Sequence, residues 1–134
     1  MRLSILLLAL AACDEAPPDD QADALAVDQA PPPVVTTVVG TCPGPVTVTL
    51  SGLTPGGGWA IAKSPNLAPG VVIPGGPCAG TPLRIGPPTT LAASGTATPA
   101  GTTSFTVVLP PAACGWYIQP LDVATCTTGM FYQF

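Results

Sequence analysis

Val46-Thr47-Val48-Thr49-Leu50-Ser51 and Ser104-Phe105-Thr106-Val107-Val108-Leu109 are the two stretches that decide the fold. In the first, an apolar side chain falls at every second position with a hydroxyl between. In the second, Phe105, Val107 and Leu109 alternate with Ser104, Thr106 and Val108. A period of two puts each apolar set on one face of an extended strand, and β-branched Val and Thr suit that pleated surface better than a helix.

Shorter segments of the same kind lie to either side: Val34 to Val39, Trp59 to Lys63, Gly70 to Ile73, Leu83 to Ile85, Gly115 to Gln119 and Met130 to Phe134. With the two clear stretches they make about eight strands at roughly ten-residue spacing, the rhythm of a small sandwich or barrel. All 15 glycines and 14 of the 19 prolines fall in residues 34–134. They cluster between the alternating segments, where they act as turns rather than as a sign of disorder. The expectation is an all-β fold, a small antiparallel β-sandwich over residues 34–134. Its core would be mainly Val, Leu and Ile with Trp59, Phe105 and Trp116, thin for a domain of this size.

Leu50-Ser51-Gly52-Leu53-Thr54-Pro55-Gly56, followed by Trp59, resembles the Leu-x-Pro-Gly turn of fibronectin type III domains. The resemblance covers about ten residues and implies the sandwich class, not the family. The series Cys78-Ala79-Gly80-Thr81, Cys114-Gly115, Gln119 and Asp122 before Cys126 resembles small β modules of secreted bacterial proteins, a likeness that implies no activity.

Ahead of the domain, Met1-Arg2 is a short positive end and Leu3 through Ala12 an apolar run, too short for the roughly 20 residues of a spanning helix. Leu10-Ala11-Ala12-Cys13 resembles the lipobox of bacterial lipoproteins. The resemblance implies a signal peptide over residues 1–12, removed after Ala12, and a membrane anchor through lipid on Cys13. Asp14 and Glu15 follow directly; in some lipoproteins acids here resemble an inner-membrane retention signal, and the choice of membrane stays open. Residues 13–33 carry six acids and five prolines, a composition expected to form a disordered spacer.

The net charge of −4 belongs to that spacer, since from Val34 onward only Lys63, Arg84 and Asp122 are charged. A nearly neutral domain with no basic patch is not expected to bind nucleic acid. The expected partners are the membrane, through the anchor, and an envelope protein or glycan.

Setting Cys13 aside leaves Cys42, Cys78, Cys114 and Cys126, an even number in an exported chain, for which disulfides are the expectation. Three pairings are possible. Cys114 and Cys126 are symmetric about Pro120, so a hairpin turning at Gln119-Pro120-Leu121 would join them and leave Cys42 for Cys78. With no histidine and no Cys-x-x-Cys spacing, neither a metal nor a cofactor is expected.

Catalysis needs groups that move protons, and residues 34–134 hold no His, no Glu and one Asp. Lys63 and Ser64 could suggest a Ser-Lys dyad, but neighbours on a strand point to opposite faces. No enzyme is expected, and Asp122, Lys63 and Arg84 are expected to be replaceable together by Asn, Gln and Gln without loss of the native activity. Candidate binding residues are the aromatics Trp59, Tyr117 and Tyr132, as a platform for a glycan or partner. The terminal segment through Phe134, with Tyr132 or Phe131 outward, is the candidate edge for strand addition.

Lipid attachment is testable in cells. Cys13→Ser is expected to release the chain from membranes on fractionation and to abolish an acyl mass increment present in the wild type. A wild-type chain without acyl groups would rule out the anchor.

Overall fold

The computed structural model describes residues 33–134; the expected signal peptide, the lipid site Cys13 and the spacer up to residue 32 lie outside the described residues. The fold is nearly all β, with every strand pairing antiparallel. The alternating stretch at 46–51 lies within β2 (Gly44–Ser51), where Val46, Val48 and Leu50 are buried. It is the middle of a three-stranded sheet between β1 (Val35–Gly40) and β7 (Thr103–Leu109). Val48 stands opposite both Val38 and Phe105 on the inner face. On the outer face the Thr47 and Thr106 hydroxyls meet at 2.8 Å and those of Thr49 and Ser104 at 2.9 Å.

The second sheet runs β10 (Tyr132–Gln133), β8 (Tyr117–Asp122), β3 (Gly58–Ser64), β6 (Thr90–Thr96), and β9 (Thr127–Thr128) pairs with the far end of β8. Val46, Val48 and Leu50 of one sheet pack with Trp59, Ile61 and Ile118 of the other, and Val34, Leu53 and Ala97 belong to the same core. Burying aliphatic chains of this kind is worth about 1.5–3 kcal/mol each, so few large residues carry most of the stability.

Between β3 and β6 the chain makes a long excursion containing only the two-residue strands β4 (Val71–Val72) and β5 (Pro82–Leu83). It is held to β3 and β8 by polar contacts. The Ser64 hydroxyl donates to the Gly86 carbonyl at 2.6 Å and accepts the Asn66 N–H at 3.0 Å. Gln119, 1% exposed, accepts the Arg84 N–H at 2.8 Å and donates to the Gly129 carbonyl at 3.1 Å. Both ends of this buried amide are thereby satisfied.

Every segment expected as a strand overlaps one, although Leu83 to Ile85 shares only Leu83 with β5 and β8 runs three residues past the expected Gln119. Two strands were not expected. β6 reads Thr-Leu-Ala-Ala-Ser-Gly-Thr, with no alternation of large apolar residues, and is largely exposed at a sheet edge. β9 is too short to show a period.

The expected cysteine pairing is corrected: the bonds are Cys42–Cys114 and Cys78–Cys126. The chain does not turn at Pro120. β8 runs straight through it from Tyr117 to Asp122, which puts Cys114 and Cys126 beyond opposite ends of one strand. Proline is tolerated there for a geometric reason. The Pro120 carbonyl accepts from the Gly129 N–H, and in an antiparallel strand the N and O of one residue point the same way. The missing N–H thus falls where the outer neighbour of β8 changes from β10 to β9, and the ladder with β3 loses nothing.

The Cys42–Cys114 bond ties the β1–β2 turn to the segment leading into β8, and Cys78–Cys126 ties the excursion to the β8–β9 turn. Loops of 72 and 48 residues are closed, each worth about 4 kcal/mol in the chain-entropy model. Replacing Cys42 and Cys114 together by Ala is therefore expected to lower unfolding free energy by about 3–4 kcal/mol in denaturant titration. Non-reducing peptide mapping should recover both linkages, and a Cys114–Cys126 peptide from oxidised protein would contradict this topology.

Candidate functional site

Cores of sandwiches are closed at their sides by large inward residues on the edge strands. Here β6 and β7, the edges of the two sheets, are consecutive in the chain but are not hydrogen-bonded to one another. The residue of β6 that stands opposite Ile61 is only Ala93, with Ala92 beside it at a bulge. Small side chains there leave an apolar cleft of about 400 Å³. Phe105, Val107 and Leu109 of β7 line one side, and the core residues Val48, Ile61 and Ile118 line its depth. Its size is that of small-molecule sites, roughly 300–1,000 Å³.

Lys63 is the one charged residue in the lining. Its Nζ stands 5.7 Å from the centre of the Trp116 ring, which also lines the cleft, within range of a cation–π contact. Ser64 bonds Gly86 and Asn66 on the covered face of the sheet, so the adjacent lysine and serine form no dyad. A second cavity, about 490 Å³, lies between β3 and the excursion, among Ala60, Ala62, Leu83 and Leu91, with only threonine hydroxyls for polarity.

The three aromatics expected to bind are not brought together. Trp59 takes the place expected of it in the core and not the candidate binding role: it is 7% exposed and stacks on Phe105 with ring centres 5.6 Å apart and planes 6° from parallel. Gly95 makes this possible, since a Cβ there would come within 2.9 Å of the Trp59 ring. Tyr117 is half-buried, edge-on to Phe131 at 6.0 Å, and Tyr132 packs edge-on to Phe134 at 5.7 Å. Tyr132 stands opposite Ile118 and Gln133 opposite Tyr117, so the two tyrosines take opposite faces of the sheet. Trp116, expected in the core, is instead half-buried and lines the cleft beside Ile118.

Asp122 is the sole carboxylate side chain among the described residues, and it is buried. Its Oδ2 accepts the Thr54 N–H at 2.9 Å, the Thr54 hydroxyl at 2.7 Å and the Thr125 hydroxyl at 3.1 Å; Oδ1 accepts the Ala124 N–H at 3.1 Å. One side chain thus joins the β2–β3 loop to the β8–β9 turn, a structural role for the sole described carboxylate. Burial pushes its carboxyl up, but the hydrogen bonds from Thr54, Ala124 and Thr125 outweigh that and hold it below its ordinary 3.8.

The cleft escaped the sequence reading because it is made by what β6 lacks. The available signals were the Ala92-Ala93 pair at a strand position and a lone lysine ending an otherwise apolar strand. Comparison with protein-family models, with curated proteins and with solved structures returns no significant match.

A depressed folded pKa gives stability that is complete above the unfolded value, about 3.9, and is lost as pH falls through the folded one. Asp122→Asn is therefore expected to cost about 1–3 kcal/mol at pH 7 and progressively less below about pH 4, measured by urea unfolding across that range. An equal cost at both ends would show that the charge does not pin the turns.

Proposed function

We propose that this chain is an exported lipoprotein, anchored through Cys13, whose sandwich acts by binding an apolar group in the β6–β7 cleft, without turnover. The observation that carries this reading is the cleft, an opening onto core residues at the free edges of both sheets. Two disulfides belong with an oxidising, extracytoplasmic compartment, and among the described residues no helix is long and apolar enough to cross a membrane. The lipobox resemblance supplies the anchor. The absence of turnover rests on chemistry: Asp122 is spent on two turns and Ser64 on backbone contacts, which leaves no acid–base pair at the cleft.

A second reading, docking of an envelope protein by strand addition, is favoured by β7. This free edge has seven residues, no charge and no proline, and Val108 is 72% exposed, so nothing blunts it against another strand. It replaces the terminal segment as the candidate edge, since β10 has only two residues. A glycan platform has less support, because Trp59 is buried and Tyr117 and Tyr132 face opposite ways.

The test uses the exported, oxidised chain carrying Cys13→Ser, which is free of detergent, and the neutral apolar fluorophore N-phenyl-1-naphthylamine. One-to-one binding is expected, abolished by Ala93→Phe and unchanged by Ala62→Phe, which fills the second cavity. Binding insensitive to Ala93→Phe, or none at all, would refute the cleft as the site.

A further inference from the structure

The cleft is hydrocarbon throughout except at one end. There Lys63, on the last turn-ward residues of β3, projects beside Trp116, and the indole face shields one side of the ammonium. The sole described carboxylate, Asp122, pairs in register with Trp59 at the opposite end of β3, and its oxygens are taken by Thr54, Ala124 and Thr125. Among the described residues no side-chain anion therefore answers the Lys63 charge. Lys63 is half-buried as a residue, and an anion at this end of the cleft would find its ammonium free to pair.

A sugar would need several convergent hydrogen-bonding groups including acceptors, and the lining side chains offer only two donors, the Lys63 ammonium and the Trp116 indole N–H. A peptide would bring backbone polar groups into a hydrocarbon slot. The complementary ligand is a hydrocarbon chain ending in a single negative charge. Resting on the reading of the cleft as a binding site, we propose that it takes a long-chain alkyl carboxylate. The chain lies between Ala93 and the β7 residues Phe105 and Val107, and the carboxylate meets the Lys63 ammonium in a charge-assisted hydrogen bond.

Three probes with one tail and different heads decide this: dodecanoate, dodecanol and dodecyltrimethylammonium. Each is titrated below its micellar concentration into the oxidised chain carrying Cys13→Ser, by calorimetry. Dodecanoate is expected to bind roughly tenfold or more tightly than dodecanol, with the cationic probe weakest. Lys63→Gln should erase the preference for dodecanoate and leave dodecanol affinity within about twofold. Nuclear Overhauser contacts from dodecanoate methylenes to Phe105 and Trp116 in the wild type locate the ligand even where Ala93→Phe fails to fold. Equal binding of dodecanoate and dodecanol would overturn the carboxylate assignment while the cleft reading stands. Binding of no probe would overturn both. A dodecanoate preference that survives Lys63→Gln, or contacts that miss Phe105 and Trp116, would also overturn the assignment.

Discussion

The Trp59–Phe105 stack is the contact on which the two sheets depend. The other fully buried residues of the core are aliphatic, and here two rings lie parallel to each other, one from β3 and one from β7. An aromatic pair of this kind adds about 0.5–1.5 kcal/mol to its area of burial. Gly95 is the condition for that geometry, because any side chain on β6 at this point would meet the indole. A glycine beside Trp59 and alanines next along β6 are thus a single structural fact. The edge strand is kept thin so that the tryptophan can lie flat, and the cleft opens where the strand stays thin and no ring fills the space.

With so lean a core, the ends of the sandwich are held by other means. The disulfides close loops at two separate places, and Asp122 joins two turns by four hydrogen bonds. The long excursion between β3 and β6 has little apolar surface of its own; it is fastened through Cys78, Ser64 and the buried Gln119 amide. Covalent and polar ties take over where hydrophobic burial is insufficient, the usual remedy in small exported domains. The same thinness ties the core to the cleft, since larger residues at Ala92 and Ala93 would fill it.

Much of the fold was legible in the residues. The alternation of Val46, Val48 and Leu50, and of Phe105, Val107 and Leu109, is a local property, because the pleat sends every second side chain to one face whatever the partner strand. Turn residues between such segments gave the all-β class and the count of the main strands. The even cysteine number in a chain with a lipobox resemblance gave two disulfides. β6 was illegible for the opposite reason: its identity as a strand comes from pairing with β3, not from any pattern in Thr-Leu-Ala-Ala-Ser-Gly-Thr.

What the sequence alone determined is therefore what depends on neighbours along the chain: strand periodicity, turn chemistry, the segregation of charge into residues 14–28, and the poverty of acid–base groups in the domain. What only the tertiary structure decided is what depends on which strands lie side by side. Pro120 looked like a hinge and is a strand residue, because its missing donor falls at a gap between two partners. That straight strand separates Cys114 from Cys126 and sets both pairings. Trp59 and Asp122 are similarly placed by strand register, one into the core and one into two turns, and the site lies between edges that meet only when the sheets pack. Such meetings carry no local signature, since they are made by residues up to 72 positions apart.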